Sequence, residues 1–512
     1  MGAKFTRRRF LEALGAAAAY LALAPAAGCD LLGRTSRHKS LRIPTLSPLH
    51  ATKVWPLPST SSPTTRYVQA FRSRPDLSPA TVEATTRRAQ DTATGYIFIA
   101  PKKGAGQDGP MIIDNLGHLV WFGKNRYATD FKVQSYRGEP VLTWWEGRIV
   151  GRHGVGEYMI FDGSYRKIAR VRAGNGYQGD LHEFLITPQD TALLTVYVPM
   201  RTDLSSVGGP QDGAVWDGIA QEVDIETGKV LFEWHSLEHV SVEESYGNPP
   251  ADPAYIYDYF HINSIDVDLD NNLLISSRNT WTVYKLDRKS GEILWRLGGK
   301  RSDFEMGPGT QTAFQHDARR HEDGTITIFD NGAGPVVHDQ SRGIVVELDM
   351  DEMSAKLVRE YTSPQKRLST SQGNMQILPN ANVFIGWGSA PFFSEFNHDG
   401  EPLFDASFLG KAQSYRAFRF PWSGRPIEDP AVAVEQSPDD KVALYASWNG
   451  ATEFESWEVI VGPHPGQLQS LGSVPREGFE TAMLVQTSDP YIAVRVKNRF
   501  GQVLGTSAPV EV

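Results

Sequence analysis

Short apolar runs broken by Asp, Asn and Gly recur along this chain, and no long amphipathic stretch of helical period lies between them. Asp114–Trp121 forms one such unit, with Gly117 at its turn, and Asp162-Gly163-Ser164 forms a terse second. Asp224–Trp234, Asp287–Trp295, Asp349–Val358 and Asn397–Phe404 continue the series. In each, an apolar strand meets a tight turn and a second apolar strand. Asp opens such turns by accepting bonds from the backbone that follows it, and Gly supplies the positive φ.

The units are spaced by roughly fifty to sixty residues, the range of propeller blades with loops. Further strand pairs lie between them, such as Ile265–Asp268 turning through Asp270-Asn271-Asn272 into Leu273–Ser276. About four strands per unit, repeated about six times, predict an all-β fold built on a six-bladed β-propeller. Closure removes most of the strand edges that an open sheet of this size would expose. The propeller is expected over residues 64–430. Beyond it, Val442–Trp448, Trp457–Val461 and Tyr491–Val496 alternate between turn residues, which predicts a small β-sandwich of fibronectin III or immunoglobulin-like type over 431–512.

The N-terminus reads as an address rather than as fold. Thr6-Arg7-Arg8-Arg9-Phe10-Leu11 matches a twin-arginine export signal, and the apolar run from Ala13 to Ala27 is short for a membrane span. Small residues then lead to Cys29, the single cysteine of the chain, as at a lipoprotein processing site. Residues 1–29 are thus expected to be a signal peptide ending at a lipidated cysteine, and 30–63, rich in Ser, Thr, Pro and Arg, a flexible tether. This places the mature chain on the outer face of a bacterial cytoplasmic membrane or in the periplasm. It makes the twin-arginine export machinery and a signal peptidase its partners during maturation, and a lipid its only membrane contact. A net charge of −9 with no Lys/Arg-rich run argues against nucleic acid as a partner.

Three histidines stand at one place in successive units: His182 in Asp180–Phe184, His261 in Tyr259–Ser264 and His316 in Phe314–Ala318, each ahead of an apolar strand core. A fourth unit offers Asn374. A lone strand histidine is ordinarily a packed structural residue. Three at matched positions beside Glu183, Asn263, Gln315 and Asp317 point instead to one mouth of a radial fold. Arg278 ends the strand–turn–strand unit that His261 begins, so the hairpin returns it toward His261. Imidazoles beside a guanidinium suit a multi-oxygen anion: Arg forks onto two oxygens, and neutral His can attack as a nucleophile. Tyr259, Phe260, Trp387, Tyr415 and Phe418 are candidates to wall a slot for a phenolic ring. Two other readings stay open: a non-catalytic cell-surface propeller that binds a ligand or partner, and a metal-dependent propeller hydrolase or lactonase, which Arg278 opposes by its charge.

At Asp258–Ile265, Ile275–Arg278, Leu294–Gly299, Gln315–Arg319, Ser371–Asn374 and Tyr415–Arg419 before Pro421-Trp422, the chain resembles the arylsulfotransferase family, six-bladed propeller enzymes. The resemblance runs from Gly95 to Pro426. It implies transfer of a sulfuryl group from an aryl sulfate to a phenolic acceptor, by a ping-pong route through a sulfohistidine. It calls for no cofactor, no metal and no nucleotide sulfate donor. It implies His316 as nucleophile, with His182, His261 and Arg278 gripping the sulfuryl oxygens; Asn263, Asn374, Arg416 and Tyr259 are the expected substrate-binding residues. Family enzymes of the enterobacterial type carry an N-terminal sandwich, whereas the one expected here is C-terminal.

Overall fold

The computed structural model describes residues 53–57, 66–124, 127–437 and 441–512. The twin-arginine motif, the apolar run to Ala27, Cys29 and most of the expected tether lie outside the described residues. Strands dominate; the helical pieces among the described residues are one turn at Ser236–His239 and two 3-10 turns at Ser205–Val207 and Val242–Glu244. No described helix is long and apolar enough to cross a membrane.

The turns form for the reasons their composition suggests. At Asp287 the carboxylate accepts from the amides of Lys289 and Ser290, and Gly291 takes φ 77° to bring the chain back into Ile293–Gly298. Ile262–Val267, Leu273–Ser277, Thr282–Leu286 and Ile293–Gly298 then pair in sequence order as one antiparallel sheet. Their apolar residues are buried on both faces, so the strands read as runs rather than as clean alternation.

The first strands of successive sheets stand side by side in a ring: Thr129–Tyr136, Gly179–Ile186, Ile262–Val267, His316–Arg320, Asn374–Ile377 and Ala417–Phe420. Side chains lock neighbours together. Asn263 donates to the Gln315 carbonyl (2.8 Å), and Asn374 both donates to the Ala417 carbonyl and accepts from its amide (2.8 and 2.9 Å). The sheets of Thr129–Val171 and Gly179–His235 are joined through one further pair, Gly156 with Gly179.

Early and late described strands interlock. Ala417–Phe420 pairs with Tyr96–Ile99 and becomes the first strand of the sheet that continues through Met111–Ile113 and Leu119–Phe122. Val82–Thr86 adds to the outer edge of the Asn374–Phe408 sheet by pairing with Pro402–Phe408. A part of the expected tether is also structured. Val54–Pro56 pairs with Glu480–Gln486, because Val54 buries itself with Met483 and Val485 in an apolar core. That core lies between two C-terminal sheets, one built on Ala431–Ser437, Lys441–Ser447 and Glu480–Gln486, the other on Ser456–Gly462, Gln469–Pro475 and Tyr491–Lys497.

Buried charge fills the middle of the ring. Arg416, fully buried, donates to Asp130 (2.9 Å) and to both carboxylate oxygens of Glu183 (3.2 and 3.1 Å). Lys132 reaches the same two carboxylates, and Arg319 bridges Glu183 and Asp317. Burial alone would raise the Glu183 pKa; Arg319, Arg416 and Lys132 together hold it well below the usual carboxylate range.

Candidate active site

The inner strands start with a disturbed register. Pairing shifts between Thr129 and Lys132, between Ile262 and Ser264, and between His316 and Arg319. Asp130 (φ 56°), His261 (φ 60°) and Asp317 (φ 56°) adopt left-handed backbone there. Such bulges re-aim side chains at the rim of a closed sheet. Beside two of these shifts, His261 and His316 line a cavity of about 380 Å³ at one mouth of the ring.

His182, His261, His316 and Arg278 all line this cavity, with Tyr415, Gln372, Lys102, Lys103 and Arg152. The ring centroids of His182 and His261 are 4.7 Å apart, edge to face. Asp180 accepts from His182 Nδ1 (2.5 Å) and Asp258 from His261 Nδ1 (2.6 Å), leaving both Nε2 atoms for the cavity. Arg278 is fixed by the Asn279 side chain (2.8 Å) and the Thr370 carbonyl (3.0 Å), with its guanidinium over the Phe314 ring. Gly334, at φ 112°, keeps that place open: a Cβ there would come within 2.7 Å of the guanidinium.

His316 has a defined tautomer. Asn331 donates through Nδ2 to the carbonyls of Ser369 (3.1 Å) and Gln372 (2.9 Å), which turns its Oδ1 toward His316 Nδ1 (2.7 Å). Nδ1 therefore carries the proton and Nε2 the lone pair, which accepts from the Gln372 amide at 3.1 Å. Burial, with Arg278 and His261 nearby, holds the His316 pKa well below its ordinary value, so the ring is neutral at pH 7. The same causes, burial first and then His182 and Arg278, depress His261.

Asn331 and His153 escaped the sequence reading. Asn331 follows Ile326–Asp330 as Arg278 follows Leu273–Ser277, so the repeat position that exposed Arg278 would have found it. His153 begins the strand His153–Phe161, not the first strand of its sheet, and the repeat gave no signal for it. It stacks on Tyr197 (3.9 Å between centroids) and sits 5.4 Å from His261. Burial pushes its pKa down to about 4.

Four expected substrate contacts lie elsewhere. Tyr259 is fully buried in an apolar core and donates to Ser236 Oγ (3.0 Å). Asn374 clamps Ala417, and Asn263 clamps Gln315. Arg416 belongs to the ion network in the ring. None of the four lines the cavity. Of the five aromatic candidates only Tyr415 does so; Phe260, Trp387 and Phe418 pack in cores as Tyr259 does.

Two groups bring metal-binding atoms within 4.8 Å of one another, His153 with Asp258 and His261, and His153 with Asp180 and His182. In both, a carboxylate already takes the histidine N–H. The cavity lining carries Lys102, Lys103, Arg152 and Arg278 and, among the described residues, no carboxylate. That charge favours an anion over a cation. A larger cleft of about 810 Å³ lies elsewhere, between Phe71, Tyr96, Tyr445, Arg476 and Phe479, and touches none of the clustered histidines.

Among solved structures the chain is similar to a protein of unknown function from Bacteroides caccae, at 12% identity and TM-score 0.39 over 64% of this chain and 100% of that one. It is similar also to a catalytically inactive virginiamycin B lyase from Staphylococcus aureus with quinupristin, at 8% identity and TM-score 0.33 over 79% and 99%. No curated protein matches it. The model of the arylsulfotransferase (ASST) family matches residues 132–409, which hold His182, His261, Arg278, His316 and Asn331, and the chain belongs to that family.

Proposed function

We propose that the protein moves a sulfuryl group from an aryl sulfate ester to a phenolic acceptor by a two-step exchange through His316, with no nucleotide donor. The reading rests on family membership and on one observation: a neutral imidazole, its Nε2 lone pair held by the Gln372 backbone amide, in the wall of a cavity whose charged side chains are all cationic. In the first step Nε2 bonds to sulfur and the sulfur–oxygen bond to the aryl group breaks, its electron pair leaving on the phenolic oxygen. Nδ1 keeps its proton on Asn331, so the product is a sulfo-imidazolium, whose cationic ring is a good leaving group. In the second step an acceptor oxygen bonds to sulfur and the pair returns to Nε2. Arg278, a permanent cation, is placed to stabilise charge on the sulfuryl oxygens, and His182 and His261 line the same cavity beside it. Tyr415 offers an aromatic wall for the ring.

Incubation with 4-nitrophenyl sulfate alone, then digestion and mass measurement, is expected to find one sulfuryl group on the His316 peptide, discharged by added phenol. A label on no peptide, together with no release of nitrophenol, would reject the reading. Retained anion binding in that case would point to a non-catalytic surface propeller.

The sheets described above are read as six blades, closed where Ala417–Phe420 joins Tyr96–Ile99 and followed by a β-sandwich. The N-terminal motif and Cys29 place the enzyme, in this proposal, on the outer face of the cytoplasmic membrane by a lipid anchor. Cys29→Ser is expected to move it from the membrane fraction to the soluble one. A variant that stays with the membrane would remove the anchor from the proposal.

A further inference from the structure

We propose that Lys102 carries the phenolic proton in both half-reactions, an inference that rests on the sulfuryl-transfer reading of the same cavity. Lys102 lies just beyond the strand Tyr96–Ile99 and has no counterpart in the histidine repeat. Its backbone is fixed by reciprocal bonds with Gln413, each 2.9 Å. Gln413 stands beside Gln372 (3.5 Å between their side chains), whose amide meets His316 Nε2. The lysine side chain lines the cavity with His182, His316 and Tyr415, and its ammonium sits 5.6 Å from the centroid of the Tyr415 ring. The residue is 6% exposed and forms no ion pair with a described carboxylate.

A buried ammonium with no carboxylate in ion-pair contact among the described residues is a poor structural device and a good proton donor. Burial is the main cause that brings Lys102 down to about 7; Lys103 adds repulsion and Asp108 opposes it. Tyr415, Arg152, Arg278 and the three cavity histidines line the same cavity. A phenol loses its proton at about 10 in water, as tyrosine does. Its phenolate is therefore a poor leaving group, and its neutral form a poor nucleophile, unless a proton is supplied and then taken back.

Lys102 balances both steps. As the sulfur–oxygen bond breaks, the aryl oxygen takes the electron pair and a proton from the ammonium, giving a neutral phenol and a neutral amine. When the acceptor phenol attacks the sulfohistidine, the amine removes its proton, the sulfur–nitrogen bond breaks and the pair returns to Nε2. The ammonium is restored without any external acid or base.

The test compares donors whose leaving groups differ in need. Phenyl sulfate requires proton donation; 4-nitrophenyl sulfate releases a far more acidic phenol. Lys102→Met is expected to slow labelling of His316 by phenyl sulfate by about 10²-fold or more and by the nitrophenyl donor by under about 10-fold. Lys102→Arg, which keeps the charge but cannot release its proton, is expected not to restore the phenyl sulfate rate. Folding is checked by melting. The cost of burying the ammonium is complete below about 7 and fades as pH rises toward the ordinary lysine value near 10.4, so the Met variant should melt above the wild type at pH 6 and lose that advantage by pH 10. Equal losses with both donors, or full recovery with Arg, would remove Lys102 from proton transfer while leaving the sulfuryl-transfer reading intact. A wild type that transfers from neither donor would end both.

Discussion

His316→Ala is expected to lower sulfuryl transfer by at least about 10⁴-fold, while the protein still folds and melts cooperatively. The size follows from the role: without Nε2 no covalent intermediate forms, and a direct exchange between two phenols has no group to divide the reaction. Changing Arg278 removes a stabilising donor and should cost about 10²- to 10³-fold. Added imidazole should partly restore the Ala variant, because the lost ring leaves a space beside Asn331 and the Gln372 amide, which held its two nitrogens. Turnover in His316→Ala within about 10-fold of wild type would show that another residue carries the group.

Glu183→Ala is expected to give the largest loss of stability, about 3–5 kcal/mol, seen as a lower denaturant midpoint. Glu183 sits fully buried between Lys132, Arg319 and Arg416, and its removal leaves these three cations, two of them buried, to Asp130 and Asp317. Because its pKa is held below the unfolded value, its contribution is present above the ordinary carboxylate range and is lost as pH falls through the depressed value. The variant should therefore resemble wild type most closely in acid. A variant as stable as wild type at pH 7 would show that water enters the ring and solvates the charges.

Periodicity explains what could be seen in the sequence. Asp287 with Gly291 marks a turn because the chemistry is local, and the His182–His261–His316 spacing is legible because a repeating unit carries one position round a ring. What escaped depends on contacts that no spacing records. Lys102 reaches the cavity, and His153 reaches the His261 ring, from places outside the histidine repeat. Asn374 and Arg416 stand in familial segments, but clamping and charge pairing hold them away from the cavity. Tyr259 precedes His261 by two residues, yet its side chain falls into the core because both faces of the sheet are covered. Val54–Pro56 is too short to announce itself as a strand and forms only because Glu480–Gln486 offers an edge.

Early and late segments are one another's partners: Val54–Pro56, Val82–Thr86 and Tyr96–Ile99 wait for strands that begin at Glu480, Pro402 and Ala417. A nascent chain therefore carries open edges until almost all of it has left the ribosome. Two crowded copies can satisfy those edges by exchanging N-terminal strands, so domain-swapped dimers are the characteristic misassembly of this topology.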